Sequence, residues 1–352
     1  MAQFSTNGIR LAALAAAVPK EVVHNRSYQT DFFDQALVDE VVDKVGIEQR
    51  RFAPEGMCAS DYCYAAADAL LTEQGIDRAS IDVLIFVSQT PDYRMPATAV
   101  ILQERLGLPK SCAAFDINLG CSAFVYGLSM AHSYLMNPGI ERVLLLDGET
   151  RSRVYSPRDK KTAFLFGDGG VAALLEKGGD VKTTFSLNSD GSRSHYIKMD
   201  GGGYRNPSTS ASLAEVIIDE YGNERGHEHG YMLGSDVFNF VIAEIPGDLA
   251  STLERSGLEK EQIDFWLFHQ ANKFMNGYLR KKLKVKVEKV PSAIEKFGNT
   301  SSVSIPLTMV SELAGQPLDG KNLLLSGFGV GMSWATCIIE GFDGHIVPLL
   351  EI

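Results

Sequence analysis

The strongest constraint on this chain is that it nearly repeats itself. IDVLIFVSQTP, beginning at Ile81, resembles IDFWLFHQAN, beginning at Ile263; GCSAF at Gly120 resembles GNTSS at Gly298; VLLLDG at Val143 resembles NLLLSG at Asn322. The three pairs keep their order and are all offset by about 180 residues, which marks internal duplication of one structural unit. Two halves are therefore expected, residues 1–180 and 181–352. Points that correspond between them should lie near each other if the halves pack side by side.

The repeated unit reads as α/β. Runs rich in β-branched and large apolar residues recur with amphipathic segments between them: Val83–Val87, Ala113–Ile117, Val143–Leu146 and Val171–Leu175, then Phe265–Phe268, Val287–Val290, Leu323–Leu325 and Ala335–Ile339. With 352 residues, 45% of them hydrophobic, the chain can fill a large core. Its longest apolar stretch, Leu11 to Val18, is far short of the roughly 18 residues that cross a bilayer, so no membrane span is expected. That stretch imitates a signal peptide, but only Arg10 closely precedes it and no clean cleavage site follows. Between the copies, residues 190–230 are Gly-, Ser- and polar-rich and read as a covering loop or insertion.

A net charge of −11 argues against a nucleic-acid or anionic-membrane binder, whose surface must attract phosphate. The acidity is uneven. Arg280 to Lys289, RKKLKVKVEK, carries six cations against Glu288 alone. Such a patch reads most simply as a solvated helix end and strand, but it could dock an acidic partner, because screening limits the attraction to about 8–10 Å. The five cysteines are scattered and odd in number, without the spacing of a zinc site or disulfide framework, so a reduced, cytoplasmic setting is expected.

Cys121 stands where a strand-like stretch ends at Leu119-Gly120 and an apolar helical run begins. A sulfur at a helix N-terminus meets free N–H groups and the positive end of the dipole, which favour thiolate. His269 ends the strand FWLF, where parallel strands deliver side chains to a crevice. Asn299 occupies the turn that corresponds by duplication to Cys121. Each alone would pass as packing; the duplication brings all three to one place, a Cys-His-Asn constellation suited to thioester chemistry. SGFGVGMSW, Ser326 to Trp334, is unlike a dinucleotide loop, since SWATCIIE after it reads as a strand. Its glycines fit a bend presenting N–H groups to a reacting carbonyl, with GDGG at Gly167 as the counterpart in the first copy. His227 and His229, two apart in a loop, make a weak metal signal and no metal is expected.

Taken together, AAVPKEVVHN near the start, VGIEQRRF at Val45, SQTPDYRMPATA at Ser88, DINLGCSAF around Cys121, FGDGG at Phe166, HQAN at His269, GNTS at Gly298 and GFGVGMSW at Gly327 resemble the β-ketoacyl-acyl carrier protein synthase III family of thiolase-fold condensing enzymes. The resemblance covers nearly the whole chain and implies a layered α-β-α-β-α fold. It also implies that an acyl group moves from acyl-CoA or an acyl carrier to Cys121, and that malonyl-acyl carrier protein then loses CO2 and condenses with it. On this resemblance His269 and Asn299 stabilise the enolate, and the backbone N–H groups of Cys121 and Val330 form the oxyanion hole. Met95, from a second copy, and Phe166 belong to the acyl pocket; Lys281 and Lys282 dock the acidic carrier; Lys44, Lys160 and Asn272 lie in the CoA region. The enzyme is expected to be a homodimer with no metal or redox cofactor. Where members stack the CoA adenine between a tryptophan and an arginine, this sequence has Glu40 and Lys160, which points to a differently gripped CoA or a carrier-borne primer. Methionine at position 95 is flexible and suggests primers longer than acetyl.

Two other readings share some of these signals. A papain-like hydrolase has the same Cys, His, Asn order, but its CGSCW-type signature and a duplicated α/β pattern do not go together. An acyltransferase of the same fold acting on a non-malonyl acceptor would carry the same three residues.

Overall fold

The Ala-rich stretch that imitates a signal peptide is the inner end of a long buried strand, β1 (Ala2–Val18), in the computed structural model, which describes residues 2–214 and 216–352. Helix α1 (Gln35–Val45) is followed by α2 (Ala59–Glu73), β2 (Val83–Val87), α3 (Thr98–Arg105), β3 (Ala113–Ile117), α4 (Ala123–Leu135), β4 (Arg142–Thr150) and β5 (Asp168–Ser189). Then come α5 (Gly234–Ser256), β6 (Phe265–Phe268), α6 (Lys273–Leu283), α7 (Ser304–Leu313), β7 (Lys321–Gly329) and β8 (Ser333–Phe342). The strands run in the order β6-β7-β8-β5-β4-β2-β3, and β1 lies antiparallel along β5.

The same strand pattern occurs twice. β2 is parallel to β4, and β4 is antiparallel to the first part of β5. β6 is parallel to β7, and β7 is antiparallel to β8. The twenty-two residues of β5 join the two sets, pairing with β4 through Asp168–Glu176 and with β8 through Lys182–Ser189.

Alternation along each strand sorts side chains into layers, because successive residues point to opposite faces. Val83, Ile85 and Val87 of β2 share a core with α4, α7 and Leu267 of β6, whereas Leu84 and Phe86 face α2 and α3. Trp266 and Phe268 face outward on the other side, against α5 and α6. The stack is thus helix, sheet, helix, sheet, helix, with α4 and α7 at its centre. This explains why VLIFV is apolar at every position: strands in parallel pairing are covered on both faces. Each such side chain is worth about 1.5–3 kcal/mol buried rather than exposed. Gly127 lets α4 approach β4 closely, since a Cβ there would stand 2.8 Å from Leu145 Cδ1.

One expected strand is absent. Val287–Lys289 forms a single 3-10 turn with Val287 67% exposed. The segment is confined between Lys284, which ends α6 in the left-handed region, and Pro291, and Lys289 Nζ donates to the carbonyls of Glu261 and Ile263. Its β-branched Val287 and Val290 suggest β structure, but the Lys289 and Val290 N–H groups donate to the Lys286 and Val287 carbonyls and close a turn instead. The basic run is therefore a helix end and a turn. Within residues 190–230, Ile197–Met199 pairs antiparallel with Gly230–Met232, and the Lys161 amine meets Asp219 at 2.6 Å, holding the excursion against the body of the protein. Among the described residues no helix is long and apolar enough to cross a membrane.

Candidate active site

Cys121 sits in the short link between β3 and α4, and the first turn of the helix closes with the Ala123 N–H donating to the Gly120 carbonyl at 2.7 Å. The bend after β7 passes directly over it. A Cβ on Gly329 would lie 2.7 Å from Cys121 Sγ, and one on Gly120 would lie 2.2 Å from Val330 Cγ1. Neither position has room for a Cβ, because the Cys121 and Val330 side chains fill the space, and at Gly327 a Cβ would meet the Cys121 carbonyl oxygen at 2.7 Å. The sulfur is buried, with Ser301 Oγ at 3.8 Å. Burial alone would push the thiol up; the charge and hydrogen bonding of His269, the Arg151 guanidinium and the Ser301 hydroxyl outweigh it and bring the thiol down to about 7. Cys63, Cys112 and Cys337, which are buried without such neighbours, are all pushed up.

His269 follows β6 directly, and its N–H continues the ladder to the Ser326 carbonyl at 2.9 Å. Its Nδ1 is 2.8 Å from Ser304 Oγ at the start of α7, which fixes the ring. Ser304 Oγ also accepts the Gln270 N–H at 3.2 Å. Asn299 lies in a loop pinned to the first half: its N–H donates to the Leu165 carbonyl, its carbonyl accepts the Gly167 N–H, and it forms a parallel bridge with Phe166. Its side-chain Oδ1 accepts the Ser301 N–H at 2.9 Å, while Nδ2 makes only a long contact of 3.4 Å to the Ala271 carbonyl. The carboxamide is therefore oriented, with donor capacity left on nitrogen.

One cavity of about 610 Å³, including its mouth, is lined by Cys121, His269 and Asn299 together with Val330, Phe166 and Asn272. Asn272 also caps α6, accepting the Met275 N–H at 2.8 Å. The remaining expected residues lie elsewhere. Lys44 is exposed at the end of α1, and Lys160 is partly buried with its amine 5.8 Å from the Tyr221 ring centre. Lys281 and Lys282 are exposed on α6, the Lys282 amine donating to the Ile242 carbonyl. Met95 is 75% exposed and does not line the Cys121 cavity of its own chain, so a place in that cavity could come only from a second copy. His229 Nδ1 accepts the Gly226 N–H, and no group of three His, Cys, Asp or Glu side chains among the described residues is arranged to hold a metal ion.

Four residues of this site escaped the sequence reading: Ser301, Ser304, Arg151 and Tyr155. Ser301 and Ser304 were visible beside Asn299 as a serine-rich turn before a helix. Arg151 and Tyr155 sit in ETRSRVYSPRDKK, whose polarity imitates a surface loop, yet both are buried against the cavity, with the Tyr155 ring stacked on Phe166 at 4.0 Å. Asp147 lies close by, accepting the Ser302 hydroxyl at 2.6 Å, and burial pushes its carboxyl well up.

Residues 115–191 match the family model described as 3-oxoacyl-[acyl-carrier-protein (ACP)] synthase III, and residues 253–340 match that for its C-terminal part. The chain is 33% identical over 335 residues to the β-ketoacyl-[acyl-carrier-protein] synthase III 1 of Halalkalibacterium halodurans, covering 94% of this chain and 97% of that one. It is 38% identical to the crystal structure of a 3-oxoacyl-(acyl-carrier protein) synthase from Burkholderia xenovorans, with a TM-score of 0.91 and 99% of both chains covered. A priming β-ketosynthase of the R1128 polyketide pathway matches at 26% identity and a TM-score of 0.79, over 95% of this chain and 96% of that one. These matches carry the thiolase-like layered fold and leave no place for the papain-like reading.

Proposed function

This chain belongs to the 3-oxoacyl-[acyl-carrier-protein] synthase III family, and we propose that it joins an acyl primer to malonyl-acyl carrier protein through an acyl-cysteine on Cys121. The observation that carries the reading is a buried thiol brought down to about 7 inside the cavity that an imidazole and a carboxamide also line. At neutral pH such a sulfur is substantially thiolate, the nucleophilic form.

In the first step the thiolate attacks the carbonyl of an acyl thioester. The oxyanion is held by the N–H groups of Cys121 and Val330, and the departing CoA or carrier thiolate takes up a proton. In the second, malonyl-acyl carrier protein enters and its C–CO2 bond breaks, leaving an enolate on the thioester. Asn299 Nδ2–H donates to that oxygen. With Ser304 donating its hydroxyl proton to Nδ1, the His269 ring proton sits on Nε2 and donates to the same oxygen. The carbanion then attacks the acyl-cysteine carbonyl, and Cys121 leaves as thiolate. Both donors are fixed beforehand by other contacts, so little reorganisation accompanies the charge shift.

Lys281 and Lys282, exposed on α6, are the proposed contact for the acidic carrier, and Lys44, Lys160 and Asn272 for CoA. The active form is proposed to be a cytoplasmic homodimer in which Met95 of one copy closes the acyl pocket of the other, with no metal or redox cofactor. The test is CO2 release from malonyl-acyl carrier protein, with and without primer. Primer-dependent release that Cys121→Ala abolishes supports the reading. Acylation of Cys121 without CO2 release in any mixture would instead indicate a non-malonyl acceptor.

A further inference from the structure

Arg151 lies immediately after β4 with its side chain only 6% exposed, a cation placed in the wall of an acyl-carrying cavity. It separates the Cys121 cavity from an adjoining one lined by Gln89, Asn118 and Lys198, and Tyr155 borders both. A pocket built for a plain alkyl chain gains from an apolar lining, because burying polar groups without partners is costly. Leu165, Phe166, Val237 and Val241 make the rest of the Cys121 cavity lining largely apolar, so Arg151 with Tyr155 is an isolated polar spot in that wall.

The guanidinium is kept charged by its neighbours Tyr155, Glu149 and Cys121, which outweigh burial, and by the Tyr155 and Phe166 rings, whose centres lie 5.5 and 5.8 Å from Cζ, rather than by close hydrogen bonds. Of its five donors, one reaches Gln89 Oε1 at 3.3 Å and one reaches the Tyr155 hydroxyl at 3.2 Å, both long and both to neutral groups. Nε has no hydrogen-bond partner among the described residues. The nearest carboxylate, Glu149, stands 3.9 Å away, and its oxygens already accept the Gln89 N–H at 3.1 Å and the Thr90 hydroxyl at 3.0 Å. In the resting protein the Cys121 thiolate adds negative charge nearby; acylation removes that charge and leaves the cation facing the acyl chain.

We propose that Arg151 is a specificity-determining residue and that the acyl group carried on Cys121 bears a hydrogen-bond-accepting oxygen, which accepts from the second N–H of Nη1 or Nη2 of its guanidinium. The inference rests on the reading that Cys121 carries the acyl group. The shared chemistry is an oxygen acceptor on the acyl chain, supplied by a terminal carboxylate or by a neutral hydroxyl or keto group. A guanidinium serves either and favours the carboxylate through paired N–H donation.

The experiment follows acylation of the full-length protein by intact mass with butyryl-CoA, 3-hydroxybutyryl-CoA and succinyl-CoA, offered singly and in competing pairs. The wild type is expected to load at least one oxygen-bearing donor at least tenfold faster than butyryl-CoA, and Arg151→Leu to lose or reverse that preference. The wild-type preference identifies the source and Arg151→Gln, which keeps polarity without charge, checks it: a succinyl preference that the variant loses identifies the carboxylate, and a 3-hydroxybutyryl preference without a succinyl one, retained by the variant, identifies the neutral oxygen. Ratios within one variant cancel any change in thiol reactivity, and the wild-type ratios stand even if a variant fails to fold. Equal or faster loading of butyryl by the wild type, or an unchanged ratio in a folded Arg151→Leu, overturns the proposal while leaving Cys121 acylation intact. No acylation by these donors or by the same acyl groups on acyl carrier protein would overturn the Cys121 reading and this inference with it.

Discussion

Replacing His269 by alanine should disarm the thiol in a quantifiable way. Burial raises the Cys121 thiol, and His269 provides the two largest opposing effects, so without it the value should climb from about 7 to about 9 or above. At pH 7 the thiolate fraction then falls from about one half to about 1%, a loss of about fiftyfold. A more basic thiolate is intrinsically more nucleophilic, and with a Brønsted slope of about 0.4–0.5 two units return about six- to tenfold. The net expectation is a fall of about five- to tenfold in alkylation by iodoacetamide at pH 7, with the midpoint of the rate-pH profile moving up by about two units. Peptide mapping confines the signal to Cys121, because burial holds Cys58, Cys63, Cys112 and Cys337 above the ordinary thiol value. A wild-type midpoint at 8.5 or higher, or superimposable profiles for wild type and a folded His269→Ala, would refute the electrostatic argument.

Asn299→Ala should leave acylation of Cys121 within a few-fold and lower CO2 release by about 10²–10³, the usual loss on removing one donor to a developing oxyanion; equal losses in both steps would contradict the division of roles. Gly329→Ala places a methyl 2.7 Å from Cys121 Sγ, and since displacing a reacting atom by about 1 Å can cost about a hundredfold, acylation should slow by that order, with overpacking destabilising the fold by about 1–3 kcal/mol. Lys281→Glu with Lys282→Glu should raise the KM for malonyl-acyl carrier protein and flatten its salt dependence, with the rate at saturation unchanged.

What could be read in advance followed from repetition and element edges. The segments that begin at Ile81 and Ile263 run into strands β2 and β6, Val143 and Asn322 fall in β4 and β7, and Gly120 and Gly298 precede Cys121 and Asn299, whose side chains line one cavity. Such signals survive because close backbone approach restricts local residue choice. Leu11–Val18 reads only as an apolar run, since a strand buried on both faces loses the alternation that identifies strands. Val287–Val290 erred the other way, its local propensity overridden by the turn between Lys284 and Pro291. Arg151 could not be found, because a charged residue among charged residues reads as solvated until tertiary packing places it inside.

The central claim is that an acyl group rides on Cys121 and is then consumed by a malonyl-derived carbanion. It is tested most directly by intact mass and peptide mapping of the full-length protein, first with an acyl donor and then with malonyl-acyl carrier protein. The account predicts a mass gain of one acyl group on Cys121, absent in Cys121→Ala, that disappears on the second addition with one CO2 and one β-ketoacyl product per site. Acyl groups on another residue, or a Cys121 adduct that persists through the second addition, would contradict it.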